Sequence, residues 1–167
     1  MPIVIDATES DFDDAVVLRS HQLPVVLDIG ADWCSPCRVL TPLLERLAQD
    51  YAGRFVLAKV DADENMRIAG RQQAKGFPTG IGYSRGQVTD RFHGMQTEGF
   101  LRRFLDQLLA RHAAAARHLK RLLDLLKPQD RTRLRYQEQG SELDLDVALR
   151  ALTDWRGGAQ PDPRIHM

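Results

Sequence analysis

The stretch Ala31-Asp-Trp-Cys-Ser-Pro-Cys-Arg-Val-Leu40 holds both cysteines of the chain, two residues apart. It follows an aliphatic run, Pro24-Val-Val-Leu-Asp-Ile-Gly30, and precedes a helix-like pattern in which Val39, Leu40, Leu43, Leu44 and Leu47 recur at helical spacing. The β-branched run from Val25 to Ile29 reads as a buried strand. Pro36 suits the first turn of a helix, where its missing N–H is not needed. Cys34 therefore stands at a strand-to-helix junction. Its sulfur faces unpaired backbone N–H groups and the positive end of the helix dipole, a field that favours thiolate. Cys37, one turn in, is expected to be the more buried of the two, placed to attack a mixed disulfide formed at Cys34. Pro42 is expected to kink this helix.

C-x-x-C spacing has few meanings. A structural zinc site needs four ligands, and there is no second cysteine pair; His21 and His93 complete one only through a coincidence of folding. Haem attachment requires histidine after the second cysteine, where Arg38 stands. A structural disulfide closing two residues constrains little of the unfolded chain. A reversible dithiol is the reading these residues favour, with no metal and no cofactor.

The rest of the composition is permissive. The chain has 167 residues, 43% of them hydrophobic, and a formal net charge of zero. Nucleic acid is disfavoured as a partner by that charge and by the lack of aromatics among the basic residues. The start, MPIVIDATESDFDD, shows no basic and apolar leader pattern, and no apolar run approaches a membrane span. A cytoplasmic location is the expectation.

Residues 1–110 resemble the thioredoxin family. WCSPC matches that family's W-C-G-P-C with Ser35 in place of glycine, and further landmarks follow in order. The resemblance implies an α/β thioredoxin-like fold, a central mixed β-sheet flanked by helices, and disulfide exchange with protein substrates, supported by an upstream reductase. It implies that Asp28, six residues before Cys34, handles the proton of Cys37 and that Lys59 pairs with it. It also implies that Phe77-Pro78 forms a cis-proline loop beside the disulfide, with Gly94 late in the sheet. Trp33, Pro36, Phe77, Pro78 and Gly94 are the candidate substrate-presenting residues. Taken alone, Asp28 also fits an edge position, Lys59 a surface charge and Pro78 an ordinary trans turn.

Strands are expected near 2–5, 25–30, 55–61, 78–84 and 87–93, with helices at 10–20, 34–50, 65–75 and from 97. Three departures from the family pattern stand out. Gly30 replaces a tryptophan and is expected to loosen packing beside the site; Gly80 and Gly82 either weaken a central strand or admit a close neighbour; Ser35 alters the active-site turn. Together they suggest a specialised member of the family.

Residues 111–167 read as a helical extension. Leu101, Leu105, Leu108, His112, Ala115, Leu119, Leu122 and Leu126 alternate steps of four and three, a seam of roughly four heptads ending before Pro128. It suits either a helix folding back on its own domain or one that meets a partner. His112 reads as a seam residue and not as a ligand. Residues 111–135 carry eight Lys/Arg against two Asp, and 136–167 three against six Asp/Glu. After a linker, Ser141 can cap a short helix near 142–156, followed by an extended end. That last stretch resembles the segment preceding the von Willebrand A-like domain of nitric-oxide-reductase activation proteins and cobalt-chelatase subunits. The resemblance implies docking onto a protein complex that matures metalloenzymes. The alternative to an enzyme is thus a thioredoxin-domain co-chaperone or assembly factor.

Overall fold

The computed structural model describes residues 2–126. The linker, the helix near 142–156 and the extended end lie outside the described residues.

Five strands form one sheet: β1 (Val4–Asp6), β2 (Val25–Gly30), β3 (Val56–Asp61), β4 (Thr79–Ser84) and β5 (Gln87–His93), in spatial order β1-β3-β2-β4-β5. β1, β3 and β2 run parallel, while β4 and β5 are antiparallel to their neighbours. The sheet is therefore mixed, as expected. Three α-helices flank it: α1 (Ser35–Asp50), α2 (Met66–Arg71) and α3 (Glu98–Leu126).

The aliphatic β2 is central because both its faces are covered, as an unbroken apolar run requires. Val25, Leu27 and Ile29 point into a core shared with Phe12, Val16, Ile68 and Ile81. Val26 points to the other side, where Leu40, Leu44 and Leu47 of α1 meet Leu101, Leu105 and Leu108 of α3. Asp28, by the two-residue alternation of a strand, shares the α1 side with Val26. That parity turns the Asp28 carboxyl toward α1.

Several elements differ from the sequence reading. The helix expected over 10–20 is a π-helical stretch, Asp13–Leu18, running into a 3₁₀ turn, Arg19–His21. Phe12, Val16 and Ser20 are its buried positions and share one face. α2 stops at Arg71 because Gln73 adopts a left-handed conformation (φ 54°). Arg85 and Gly86, both at positive φ, make the tight β4–β5 turn that fits a right-twisted hairpin.

The glycines of β4 admit neighbours. A Cβ on Gly80 would overlap the Phe92 ring, and one on Gly82 would stand 3.3 Å from both Leu108 and Phe104. Phe92 and Phe104 pack edge to face, centroids 5.1 Å apart, against the strand surface so cleared. The strand is filled in by its neighbours instead of weakened.

α3 passes through residue 110 without a break and is helical as far as Leu126, the last described residue. Its first half is core. Arg102 bonds Asp50 at 2.9 Å and Tyr51 bonds Asp106 at 2.8 Å, tying it to the end of α1. His112 Nδ1 lies 2.8 Å from Ser84 Oγ, confirming it as a packed seam residue. From Ala116 onward every residue is exposed, Leu119, Leu122 and Leu126 among them.

Candidate active site

Cys34 is the N-cap of α1: its backbone is extended (φ −79°, ψ 104°) and its sulfur accepts the Cys37 N–H at 3.3 Å. Pro36 lies in the first turn, exposed, donating nothing where nothing is required. The two cysteines form a disulfide, Cα–Cα 5.3 Å. Both are buried, Cys34 at 4% exposure and Cys37 at 6%, so the expected difference between them is absent in this oxidised state. The reason lies on either side. Phe77 packs over the cysteine cluster, while Gly30 leaves the flank of Cys37 open.

The face beside Cys34 is aromatic. Trp33 is 63% exposed, with its indole N–H donating to Asp63 at 2.9 Å and its ring edge-on to Phe77, centroids 5.9 Å apart. The Phe77–Pro78 peptide is cis. Gly94, at φ 75°, donates its N–H to the Pro78 carbonyl at 2.8 Å, so β5 secures the proline loop. Phe77 thus packs against the cysteine pair with Trp33 on its ring, Pro78 follows Phe77 and is bonded by Gly94, and Pro36 lies in the first turn of α1 beside Cys34.

Behind the disulfide a cleft of about 610 Å³ is lined by Cys37, Gly30, Asp28, Thr41 and Lys59. A Cβ on Gly30 would stand 3.1 Å from Cys37 Sγ, so a side chain there would press on the sulfur. What Gly30 contributes is access along this cleft, not slack packing. Asp28 is 2% exposed; its Oδ2 accepts the Thr41 hydroxyl at 2.6 Å, and no described group bonds Oδ1. Burial pushes its carboxyl from 3.8 up to about 6, against the opposing pull of the Thr41 bond and the Lys59 charge, with Glu45 adding to the rise. A carboxyl at that level is mostly ionised at neutral pH but keeps a protonated fraction, so it can both take and give a proton.

Lys59 is the register neighbour of Asp28 across β2–β3 but not its ion-pair partner. Its ammonium goes to Glu45 at 3.0 Å and Asp6 at 3.6 Å. The pairing implied by the resemblance is not a direct contact here: the ammonium lies against two more exposed carboxylates, and only its charge reaches Asp28. Thr41 and Glu45 are the bonding partners of Asp28 and Lys59 that the sequence reading missed. The available signal was their spacing, four and eight residues after Cys37, which puts all three on one face of α1.

A family model described as thioredoxin matches residues 3–107. The chain belongs to the thioredoxin family. Thioredoxin of Staphylococcus aureus is 35% identical over 106 residues, covering 64% of this chain and 98% of that protein. Mitochondrial thioredoxin of Mus musculus is 38% identical over 99 residues, and that of Bos taurus likewise, covering 59% of this chain. The chain spans 58% of the length of those mitochondrial relatives. The thioredoxin match stops within α3, short of its exposed half. No described helix is long and apolar enough to cross a membrane.

Proposed function

We propose that this protein is a thiol–disulfide oxidoreductase that reduces disulfides in protein substrates. The observation that carries the reading is the cysteine pair at the start of α1, with the Cys37 N–H on Cys34 Sγ and the buried Asp28 carboxyl in the cleft behind it. In the reduced protein, Cys34 thiolate attacks one sulfur of a substrate disulfide and displaces the other as thiolate. Cys37 then gives its proton to Asp28 and attacks Cys34 Sγ, which expels the second substrate thiolate and closes the internal disulfide. Two electrons pass to the substrate, and an upstream reductase restores the dithiol. Lys59, held by Glu45 and Asp6, tunes Asp28 through its field. Trp33, Phe77, Pro36, Pro78 and Gly94 shape the surface on which substrate backbone lies. The setting is cytoplasmic, and no cofactor or metal takes part.

Insulin reduction driven by dithiothreitol tests this. Turnover must vanish in Cys34→Ser, and Cys37→Ser must accumulate a mixed disulfide with its client, because the resolving thiol is gone. Turnover that survives Cys34→Ser refutes the assignment.

A second reading has its own support in the exposed leucines of α3, Leu119, Leu122 and Leu126. On this reading the extension selects a client, such as a complex that matures metalloenzymes, and the chain serves as a co-chaperone or assembly factor. Negligible insulin turnover together with client binding that is lost on deleting residues 111–167 favours it over the enzyme.

A further inference from the structure

We propose that Thr41 is a positioning residue for the resolving step: its hydroxyl occupies Asp28 Oδ2 and so reserves Oδ1 to receive the Cys37 proton. The inference rests on the reading of Asp28 as the proton acceptor.

The geometry is specific. Thr41 stands one turn beyond Cys37 on α1, and its Oγ1 lies 2.6 Å from Oδ2 of a carboxyl that is otherwise sealed from water. Oδ1 has no bonding partner among the described residues, while Cys37 lines the same cleft as Asp28. A carboxylate held by one oxygen has its rotation fixed, so the free oxygen keeps one direction. A buried polar atom left unpaired in a folded protein calls for a reason, and a transient proton supplies one.

The surrounding charges leave this task to a neutral hydroxyl. From β3, Lys59 faces Asp28 but bonds Glu45 of α1 and Asp6 of β1. Asp32, Arg38 and Asp61 line the outer cleft. From β4 the register neighbour is Gly80, which brings no charge. An ammonium in contact with Asp28 would hold it as carboxylate and weaken it as a base; the Thr41 hydroxyl orients it and lowers its proton affinity only in part, since burial remains the larger effect.

Stopped-flow oxidation of the reduced full-length protein by hydroxyethyl disulfide separates the two steps. Formation of the mixed disulfide depends on probe concentration, whereas resolution by Cys37 does not. The pH profile of the resolution phase should show an inflection that Asp28→Asn abolishes. Thr41→Val, of nearly the same shape, should move that inflection upward by about one pH unit, the worth of one hydrogen bond to a charged group. Thr41→Ser should restore it, and Thr41→Val added to Asp28→Asn should change nothing further. Circular dichroism reports whether each variant is folded; if Thr41→Val is not, Thr41→Ala gives the same comparison. An unmoved inflection in a folded Thr41 variant overturns the role of Thr41 and leaves Asp28 in place. A shift that persists in the Asp28→Asn background overturns it too, since Thr41 would then act elsewhere. An inflection that survives Asp28→Asn removes the Asp28 reading and Thr41 with it.

Discussion

Replacing Asp28 by Asn should stabilise the oxidised protein, and only above mildly acidic pH. The native carboxyl titrates at about 6, against 3.8 when unperturbed, because burial disfavours the charged form. Between those values the native state binds more protons than the unfolded chain, so stability falls as pH rises through the interval. At 1.36 kcal/mol per pH unit, the span from 3.8 to about 6 amounts to about 3 kcal/mol. Well below pH 3.8 the carboxyl is neutral in both states and nothing is lost. Asparagine carries no charge at any pH, and its carbonyl can still accept the Thr41 hydroxyl. The difference between variant and parent should therefore grow by about 3 kcal/mol from pH 3.5 to pH 8. Urea unfolding followed by circular dichroism at several pH values measures that difference, and other titrating groups cancel in it. For a chain of this size the gain corresponds to roughly 6–12 °C in Tm at pH 8. A difference that stays flat with pH, or a parent that is more stable at pH 8, refutes the claim that a buried charge is being held there. The same variant should lose resolving activity, so stability is surrendered at this position for chemistry.

Lys59→Met removes a positive charge that lowers the Asp28 carboxyl and frees Glu45, which raises it, so the Asp28 titration followed by ¹³C NMR should move above about 6. A downward move contradicts the electrostatics given for the cleft. Gly80→Ala forces a methyl into the Phe92 ring and should destabilise by about 1–3 kcal/mol in urea, with partial recovery when Phe92 is shortened to Leu. Leu105→Ala, in the core, should cost about 2–5 kcal/mol, whereas Leu122→Ala should change stability by no more than about 0.5 kcal/mol. Equal effects at the two leucines would mean that the exposed half of α3 is packed in solution.

Much of this architecture was legible because its determinants are local. The aliphatic run before Cys34 and the leucine spacing after it fix a strand, a junction and a helix, and the junction locates the thiols. Residues whose role depends on what lies across the sheet were harder to read. Thr41 and Glu45 look like ordinary polar positions on a helix until Asp28 is known to face them. Lys59 carries the right charge at the right register, yet its long side chain has a choice of carboxylates, and the choice is made by α1. Gly80 and Gly82 posed a question that only Phe92 and Phe104, from β5 and α3, could answer. The order of burial of Cys34 and Cys37 depended likewise on Phe77 and Gly30, one covering the pair and the other leaving its flank open.

α3 separates what a heptad pattern can and cannot say. The same seam runs from Leu101 to Leu126, but Leu101, Leu105 and Leu108 are core while Leu119, Leu122 and Leu126 face solvent. A free peptide of residues 116–126 would be too short to stay helical in water, since nucleation is unfavourable and few bonds follow it. Here the nucleus already exists in the anchored half, and each further residue needs only propagation. Ala113 to Ala116, then Arg117, Leu119, Lys120, Arg121 and Leu122, are strong helix formers, so propagation does not require these side chains to be buried. The exposed leucines are therefore held in register by the backbone and not by packing. Trimming one of them should leave the folded domain intact while altering the surface it offers, and that is why stability and binding, measured on the same variant, can be expected to part company there.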